Sequence, residues 1–236
     1  MSQPLKDRIA LVTGASRGIG RAAALALAQA GAHVVALART TGGLEELDDE
    51  IQKAGGSATL VPLDIRDFPA LDRLGQSIHE RWGRLDAFFG NAGSLGVLTP
   101  LFHLDPQVFQ ELIEVNVTAN WRLIRALDPV LRLSDAGRVL FVSSGAARGH
   151  TPYWGGYAMA KAALESLALT YAAECATTNV RVNLLSPGAV RTMMRARAMP
   201  GEDPQTLPPP QAVAPLIVEL LSPSNEKNGE LVAFRA

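Results

Sequence analysis

The sequence has only one cysteine, almost no net charge and no long hydrophobic run, and each of these features argues against a class of protein. The single cysteine, Cys175, permits no internal disulfide, so we expect a reducing, cytoplasmic setting. A net charge of −1 is not the basic balance of a nucleic-acid-binding protein, and we expect no nucleic-acid partner. Because no apolar segment is long enough to cross a bilayer, we expect no membrane association either.

Secretion and metal binding find no support in the residues. The charged residues Lys6, Asp7 and Arg8 lead straight into a strand-like run, which is not the pattern of a secretory signal. Four histidines are scattered along the chain with one cysteine, so no metal site is predicted. The composition, 47% hydrophobic and 19% charged, is that of an ordinary soluble protein with one substantial core.

Short β-branched runs alternate with longer helix-forming runs along the whole chain. Strands are predicted at 8–14, 33–38, 58–64, 85–93, 138–144, 180–188 and 230–235, and helices at 20–31, 42–56, 68–83, 106–133 and 157–178. Strands that alternate with helices of ten or more residues predict right-handed crossovers and a parallel sheet covered on both faces. The sequence therefore predicts a doubly wound, three-layer α/β fold with about seven parallel strands.

No linker, repeat or second domain interrupts the alternation, so residues 1–236 are expected to form a single domain. The segment 199–210 is rich in proline, and too little chain follows it to fold alone. We therefore expect residues around 190–210 to form a short lid over a substrate rather than a domain boundary.

The first strand-to-helix turn reads TGASRGIG, from Thr13 to Gly20. Glycine permits a tight turn and lets a pyrophosphate approach the backbone, while the helix N-terminus offers free N–H groups to an anion. Because this loop follows the first strand and opens a helix, it predicts dinucleotide binding. The residues expected to contact the cofactor here are Gly14, Ser16, Arg17, Gly18, Ile19 and Gly20.

The end of the second strand indicates which dinucleotide is bound. A site for NAD usually carries Asp or Glu there, to accept the ribose hydroxyls. This chain has Ala38, Arg39 and Thr40 instead. Arg39 and Arg17 suit a 2′-phosphate through bidentate charge-assisted bonds, so NADP(H) is predicted. The alternative is that both arginines are solvated surface residues.

Residues 157–161, YAMAK, open an alanine-rich helix with a tyrosine and a lysine one turn apart. The i, i+4 spacing puts Tyr157 and Lys161 on one face, and the small neighbours Ala158 and Ala160 leave room for a cofactor. Taken alone, the pair is also compatible with a tyrosine at a core edge and a lysine that reaches water.

Five motifs occur in order: TGxxxGIG at 13–20, NAG at 91–93, Ser144, YxxxK at 157–161 and PGxxxT at 187–192. In this order and spacing, the chain resembles a short-chain dehydrogenase/reductase over nearly its whole length. The resemblance implies a Rossmann-type fold and an NADP(H)-dependent oxidoreductase. Such an enzyme transfers hydride between the cofactor and a small-molecule carbonyl or alcohol substrate.

The resemblance also implies roles for the matching residues. Tyr157 is the expected acid/base, and Ser144 is expected to hydrogen-bond the substrate oxygen. Lys161 is expected to bind the nicotinamide ribose and to lower the pKa of the tyrosine. Asn116 is expected to hold a proton-relay water beside Lys161. A fall of about 3 units from the free tyrosine value near 10 corresponds to roughly 4 kcal/mol, which one ammonium about 4 Å away can supply.

The remaining cofactor contacts implied by the resemblance follow other strands. Asn91 is expected to steady the central sheet, with Ala92 and Gly93 bordering the adenosine. Asp64 and Ile65 are expected to contact adenine. The residues expected at the nicotinamide end are Pro187, Gly188, Val190 and Thr192. Five further side chains flank the presumed pocket or simply pack: Leu95, His150, Trp154, Met193 and Met194.

Two other functions are compatible with single features of the chain. Ser144 and His150 suggest a hydrolase, but the nucleophile elbow G-x-S-x-G is absent. A non-catalytic NADP(H)-binding regulatory protein would keep the glycine loop but has no need of Ser144, Tyr157 and Lys161. The joint presence of these three residues favours the oxidoreductase.

The helix that follows Lys161 predicts assembly. From Ala162 to Thr178 its only charged residues are Glu165 and Glu174, and a helix apolar on all sides is normally buried on all sides. Its outer face is expected to meet the long helix of a second copy, with Trp121 and Leu123 in contact. We expect a homodimer at least. A homotetramer is less certain, because the family's usual tail is replaced here by Asn228-Gly229 and a short end.

Overall fold

Seven short strands form one parallel sheet in the computed structural model, which describes residues 3–235. The strands are β1 Ile9–Thr13, β2 His33–Ala38, β3 Ser57–Pro62, β4 Ala87–Gly90, β5 Arg138–Val142, β6 Arg181–Ser186 and β7 Leu231–Ala233. Their order is β3-β2-β1-β4-β5-β6-β7, and every neighbouring pair is parallel. The doubly wound fold predicted from the sequence is confirmed.

Helices cover the sheet on both faces. They are α1 Gly18–Gln29, α2 Thr41–Lys53, α3 Phe68–Trp82, α4 Pro106–Ile113, α5 Ala119–Leu131, α6 Ala146–Gly149, α7 Gly155–Glu174, α8 Met193–Ala198 and α9 Ala214–Leu221. Helices α1, α2 and α9 pack on one face, and α3, α5 and α7 pack on the other. The layers are those of a Rossmann-type domain.

The two cores follow from the side-chain alternation of the strands. In β1, Val12 belongs to the core beneath α1, whereas Leu11 belongs to the core beneath α3 and α5. Since both faces are covered, both side chains are fully buried. Strands of this kind read as continuous apolar runs, which is why their positions were predictable.

The predicted helix 106–133 is not one regular α-helix. Helices α4 and α5 are joined by a π-helical turn at Glu114–Thr118, so the wider turn interrupts the regular spacing. Asp105 begins α4, with its carboxylate accepting from the N–H groups of Gln107 and Val108. The π turn contains Asn116 and so affects the candidate site directly.

Helix α9 was not predicted from the sequence, and the region before it was expected to form a lid. This region contains α8 and two 3₁₀ turns, Pro204–Thr206 and Pro210–Ala212. The Arg195 guanidinium donates two hydrogen bonds of 2.6 Å to the Glu202 carboxylate, which closes the segment on itself. Helix α9 is short and no side chain caps its N-terminus, so Pro215 in its first turn is the weak local signal at its start.

The outer face of α7 is partly apolar and open. Leu169 is 43% exposed, whereas Ala172 is 1% exposed and lies in the core. On α5, Trp121 is 43% exposed, but Leu123 points inward at 1% exposure. Of the two residues expected to contact a second copy, Trp121 is therefore available and Leu123 is not, while Leu169 is an exposed apolar side chain on α7.

Within residues 3–235, no helix is both long and apolar enough to span a membrane. The same residues contain no group of three or more His, Cys, Asp or Glu side chains placed to hold a metal ion.

Candidate active site

The candidate site lies at the carboxyl edge of the sheet, where β1 and β4 are neighbours. From β1 the chain continues to β2 on one side, while β4 leads to β5 on the other, so the edge opens at this point. Ligands of open α/β sheets bind in such a crevice. Six predicted site residues follow six strand ends at this edge: Gly14, Arg39, Asp64, Asn91, Ser144 and Pro187.

The glycine loop after β1 has a backbone that requires glycine. Gly14 and Gly18 have φ values of 68° and 57°, which side chains rarely tolerate. A Cβ at Gly20 would lie 2.2 Å from the Gly14 carbonyl oxygen, so the loop could not close onto α1. No side chain caps the N-terminus of α1, so the loop faces a helix end suited to an anion.

Asn91 ties the glycine loop to β4. Its side-chain amide donates to the Thr13 carbonyl at 3.0 Å. In return, the Thr13 hydroxyl oxygen accepts from the backbone N–H of Asn91 at 3.0 Å and of Ala92 at 3.1 Å. The two strand ends that border the crevice are thus held in register by side chains as well as by the sheet.

Three charged side chains meet beyond β2 and β3. The Arg39 guanidinium is 64% exposed and lies 3.8 Å from the Asp64 carboxylate. Arg66 donates to the same carboxylate from its backbone N–H at 2.9 Å and from Nη2 at 3.0 Å. Burial opposes the charge of Asp64, but the hydrogen bonds and charges of Arg66 and Arg39 outweigh it and lower the Asp64 pKa. Arg66 was not predicted as a site residue, although it stands two residues after Asp64.

Helix α7 presents Tyr157 and Lys161 to the end of β5. Tyr157 is 8% exposed and Lys161 is 3% exposed. The Lys161 ammonium donates a 2.8 Å hydrogen bond to the carbonyl oxygen of Val142, the last residue of β5. The same ammonium lies 5.8 Å from the centre of the Tyr157 ring. Ser144 follows β5 by two residues, so all three side chains belong to one junction.

The pKa of Tyr157 moves opposite to the expectation. Burial raises it above the ordinary value of 10.0, and only the interaction with the Ser144 hydroxyl opposes that rise. The expected lowering by Lys161 is therefore wrong for this structure. The reason is geometric: the ammonium is directed at the Val142 carbonyl, and desolvation of the phenol dominates.

Burial also acts on Lys161, in the direction that disfavours its charge. Desolvation lowers its pKa from 10.5 to about 8, and the nearby Glu165 carboxylate partly opposes this fall. Near pH 7, both Tyr157 and Lys161 therefore carry their protons. The junction holds a neutral phenol beside a buried cation.

The π turn directs Asn116 into the same junction. Its side chain is fully buried and bonds the loop after β4, accepting from the Ser94 N–H at 3.3 Å and donating to the Ser94 carbonyl at 3.0 Å. A second 3.0 Å bond runs to the Leu112 carbonyl, one turn earlier. A Cβ at Gly93 would lie 2.9 Å from Asn116 Oδ1 and 3.4 Å from Lys161 Nζ. Glycine at 93 thus lets this loop pass close to both side chains.

Apolar side chains border Tyr157 on its other side. The Trp154 ring centre is 6.1 Å from that of Tyr157, and Leu95 and Ala146 pack against the same small cluster. Across the crevice, a Cβ at Gly18 would lie 3.6 Å from Thr192 Cγ2, so the segment after β6 approaches the glycine loop.

Several predicted residues do not offer their side chains to the crevice. Val190 and Ile65 are 3% and 8% exposed and belong to the two cores. His150 is exposed in the left-handed region at φ 48°, with Nδ1 3.0 Å from the Arg148 carbonyl oxygen. Met193 is 62% exposed. Any contact that Val190 or Ile65 makes with a cofactor must come mainly from the backbone or the side-chain edge.

Comparison with known proteins agrees with this geometry. The profile of the family described as short chain dehydrogenase matches residues 8–203. The uncharacterized oxidoreductase YciK of Escherichia coli (strain K12) is 40% identical over 226 residues, which cover 94% of this chain and 89% of that protein.

Solved structures are similar over nearly the whole chain. A short chain dehydrogenase from Shigella flexneri 2a, complexed with NADP, is 39% identical to this chain and superposes with a TM-score of 0.94. The match covers 99% of each chain. Another from Escherichia coli CFT073, complexed with NADPH, is 40% identical with a TM-score of 0.92 and the same coverage of both chains.

The buried ammonium gives a testable dependence of stability on pH. Below about pH 8, Lys161 is protonated in both folded and unfolded chains, so the cost of burying its charge is fully present. Between about pH 8 and 10.5 only the unfolded chain keeps the proton, so stability should rise with pH. We expect the free energy of unfolding of the parent, minus that of Lys161→Met, to increase by about 3 kcal/mol across this window. Urea unfolding of both proteins at several pH values measures the difference, and a flat difference would contradict the burial of a charged Lys161.

Proposed function

The chain belongs to the short-chain dehydrogenase family, and from this premise we propose that it transfers hydride between NADP(H) and a carbonyl or alcohol substrate, with Tyr157 as the acid/base. It is an oxidoreductase of that family. The observation that carries the proposal is the junction of Tyr157, Lys161 and Ser144 beside the dinucleotide crevice. A non-catalytic protein that binds NADP(H) would need the crevice but not this buried proton-donating group.

The residues present fit a dinucleotide. The glycine loop can close onto α1 because Gly20 has no Cβ, and the uncapped start of α1 favours a pyrophosphate. When bound, NADP(H) supplies the hydride that this chemistry requires. Asp64 and the backbone of Ala92 and Gly93 would border the adenosine, and the segment Pro187–Thr192 would border the nicotinamide.

Tyr157 acts on the substrate oxygen. Because its pKa is raised, the phenol is protonated near neutral pH and can donate to an oxygen that gains charge during carbonyl reduction. Ser144 hydrogen-bonds the same oxygen. Lys161 holds the start of α7 against the end of β5 through its bond to the Val142 carbonyl, and this contact positions the phenol beside Ser144. Proton return through Asn116 stays a prediction.

The preference for NADP(H) rests on Arg39. It occupies the position after β2 where a carboxylate would select NAD, and most of its side chain is free to reach a phosphate. Asp64 is neutralised by Arg66, so it does not compete fully for Arg39. Arg17 is exposed in the glycine loop and adds a second cation. The complexes of two similar structures with NADP and NADPH support this choice.

We also propose a homodimer as the minimum assembly, while a cytoplasmic location and a tetramer stay predictions from the sequence. Leu169, Ala162 and Ala173 line the outer face of α7, and Trp121 is exposed on α5 on the same side of the sheet. A two-fold pairing of these helices buries one apolar strip against its copy.

Removing the phenolic hydroxyl tests the acid/base role. We expect Tyr157→Phe to lower kcat by at least ~100-fold for every accepted carbonyl, because the proton donor is lost while the ring still packs. NADPH oxidation, followed by absorbance over a panel of carbonyl compounds, measures this. Tyr153→Phe, at a residue 61% exposed, is the control that should keep parental kcat. Tight NADPH binding by the parent with no turnover of any carbonyl would favour the regulatory alternative.

Reversing the charge at Arg39 tests the cofactor preference. Arg39→Asp should weaken NADPH binding by about 10- to 100-fold and improve NADH binding, because a charge-assisted bond becomes a repulsion. Arg73→Asp on α3 makes the same charge change away from the crevice and should leave both affinities unchanged. Titration of cofactor binding measures the affinities. A parent that binds NADH as tightly as NADPH would overturn the assignment.

Placing a charge on the outer face of α7 tests assembly. Leu169→Arg should give a monomer with reduced activity, whereas Leu169→Ala should keep the dimer because it leaves the face apolar. Light scattering at micromolar concentration measures the mass. A monomeric parent protein would refute the dimer.

A further inference from the structure

Glu165 lies one turn after Lys161 on α7, and the chemistry proposed above leaves it without a role. Its side chain is only 14% exposed, which is unusual for a carboxylate. Its Oε1 accepts from the hydroxyl of Ser143 and from the Arg148 guanidinium, the latter at 2.7 Å. A buried carboxylate with two donors on a single oxygen is held in one place.

The two donors come from the segment that presents Ser144. Ser143 follows the end of β5 and immediately precedes Ser144, and its backbone N–H is fixed by a 2.8 Å bond to the Leu185 carbonyl. Arg148 lies on α6, directly after that segment. Glu165 therefore joins the strand end, α6 and α7, which are the elements that carry Ser144, Tyr157 and Lys161.

Glu165 also supplies the negative charge nearest in sequence to Lys161 on their shared helix. Within residues 3–235, Lys161 Nζ donates its hydrogen bond to the neutral carbonyl of Val142. The polar groups that face it from α7 and from the π turn, Tyr157 and Asn116, are uncharged near neutral pH. Arg148 is paired with Glu165 at 2.7 Å, so its charge acts on the same carboxylate. Glu165 is therefore a carboxylate that acts on Lys161, and Arg148 is its ion-pair partner.

We propose that Glu165 is a positioning residue that holds the Ser144 segment against α7 and keeps the buried Lys161 protonated at neutral pH, with Arg148 moderating its charge. The catalytic consequence rests on the proposed function, but the effect on Lys161 does not. Without the carboxylate charge, burial acts on the ammonium unopposed. Without Arg148, the carboxylate acts on the ammonium at full strength.

Two variants should shift the titration of Lys161 in opposite directions. Glu165→Gln keeps the acceptor oxygen and the shape but removes the charge, so the Lys161 midpoint should fall by about one unit. Arg148→Met keeps the bulk of the stem but removes the cation, so the midpoint should rise. The free energy of unfolding by urea is measured at several pH values for each variant and for the same variant carrying Lys161→Met. The pH at which the difference between the two begins to rise gives the Lys161 midpoint in the folded chain. Glu174→Gln, an exposed charge on the same helix, should leave it unchanged.

Kinetics give the second readout. The pH above which kcat for carbonyl reduction falls should shift in the same order. It should be lowest in Glu165→Gln and highest in Arg148→Met. Simple loosening of the junction would move both variants the same way, and that result would overturn the proposal, as would an unchanged midpoint in Glu165→Gln. If the parent reduces no carbonyl at all, the proposed function fails, while the stability titration still decides the role of Glu165.

Discussion

The 2.8 Å hydrogen bond from the Lys161 ammonium to the Val142 carbonyl is the contact on which the candidate site depends. A buried cation is costly unless it is paired, and this one has a neutral partner. The bond fixes the start of α7 against the end of β5, and it thereby fixes Tyr157 relative to Ser144. It also directs the ammonium at the strand rather than at the phenol, which explains why the pKa of Tyr157 is raised.

Desolvation follows from the architecture. A doubly wound sheet is covered on both faces, and α7 packs on one of them, so the side chains that α7 turns toward the end of β5 are shielded from water. Both shifts at the junction have this origin: burial disfavours the phenolate of Tyr157 and the ammonium of Lys161 alike. Near pH 7 the result is two protonated groups, a combination suited to donate a proton when a carbonyl is reduced. A protein with this junction favours chemistry in which negative charge develops on an oxygen, because the buried cation then gains a partner.

The sequence predicted what depends on local pattern and missed what depends on tertiary contact. The strands, the glycine loop and the i, i+4 pair of Tyr157 and Lys161 each have a periodicity or a backbone requirement that the residues display directly. Three features of the site have no such signal, because each arises from a partner that folding brings close. They are the π turn around Asn116, the hydrogen bonds from Arg66 to Asp64 and the rise in the Tyr157 pKa. The inward position of Leu123 was missed for a related reason: the turn at Glu114–Thr118 interrupts the regular spacing of the long helix before that residue.

The direct test of this account is the titration of Lys161 itself. The chain has four lysines, so protein labelled with ¹³C at the lysine side chains gives few resonances, and the Lys161→Met variant identifies the one that belongs to Lys161. The account predicts that this resonance titrates with a midpoint of about 8, well below the value of about 10.4 for a solvated lysine side chain. A Lys161 midpoint near about 10.4 would show that the ammonium is solvated, and it would contradict the buried junction on which the proposed chemistry depends.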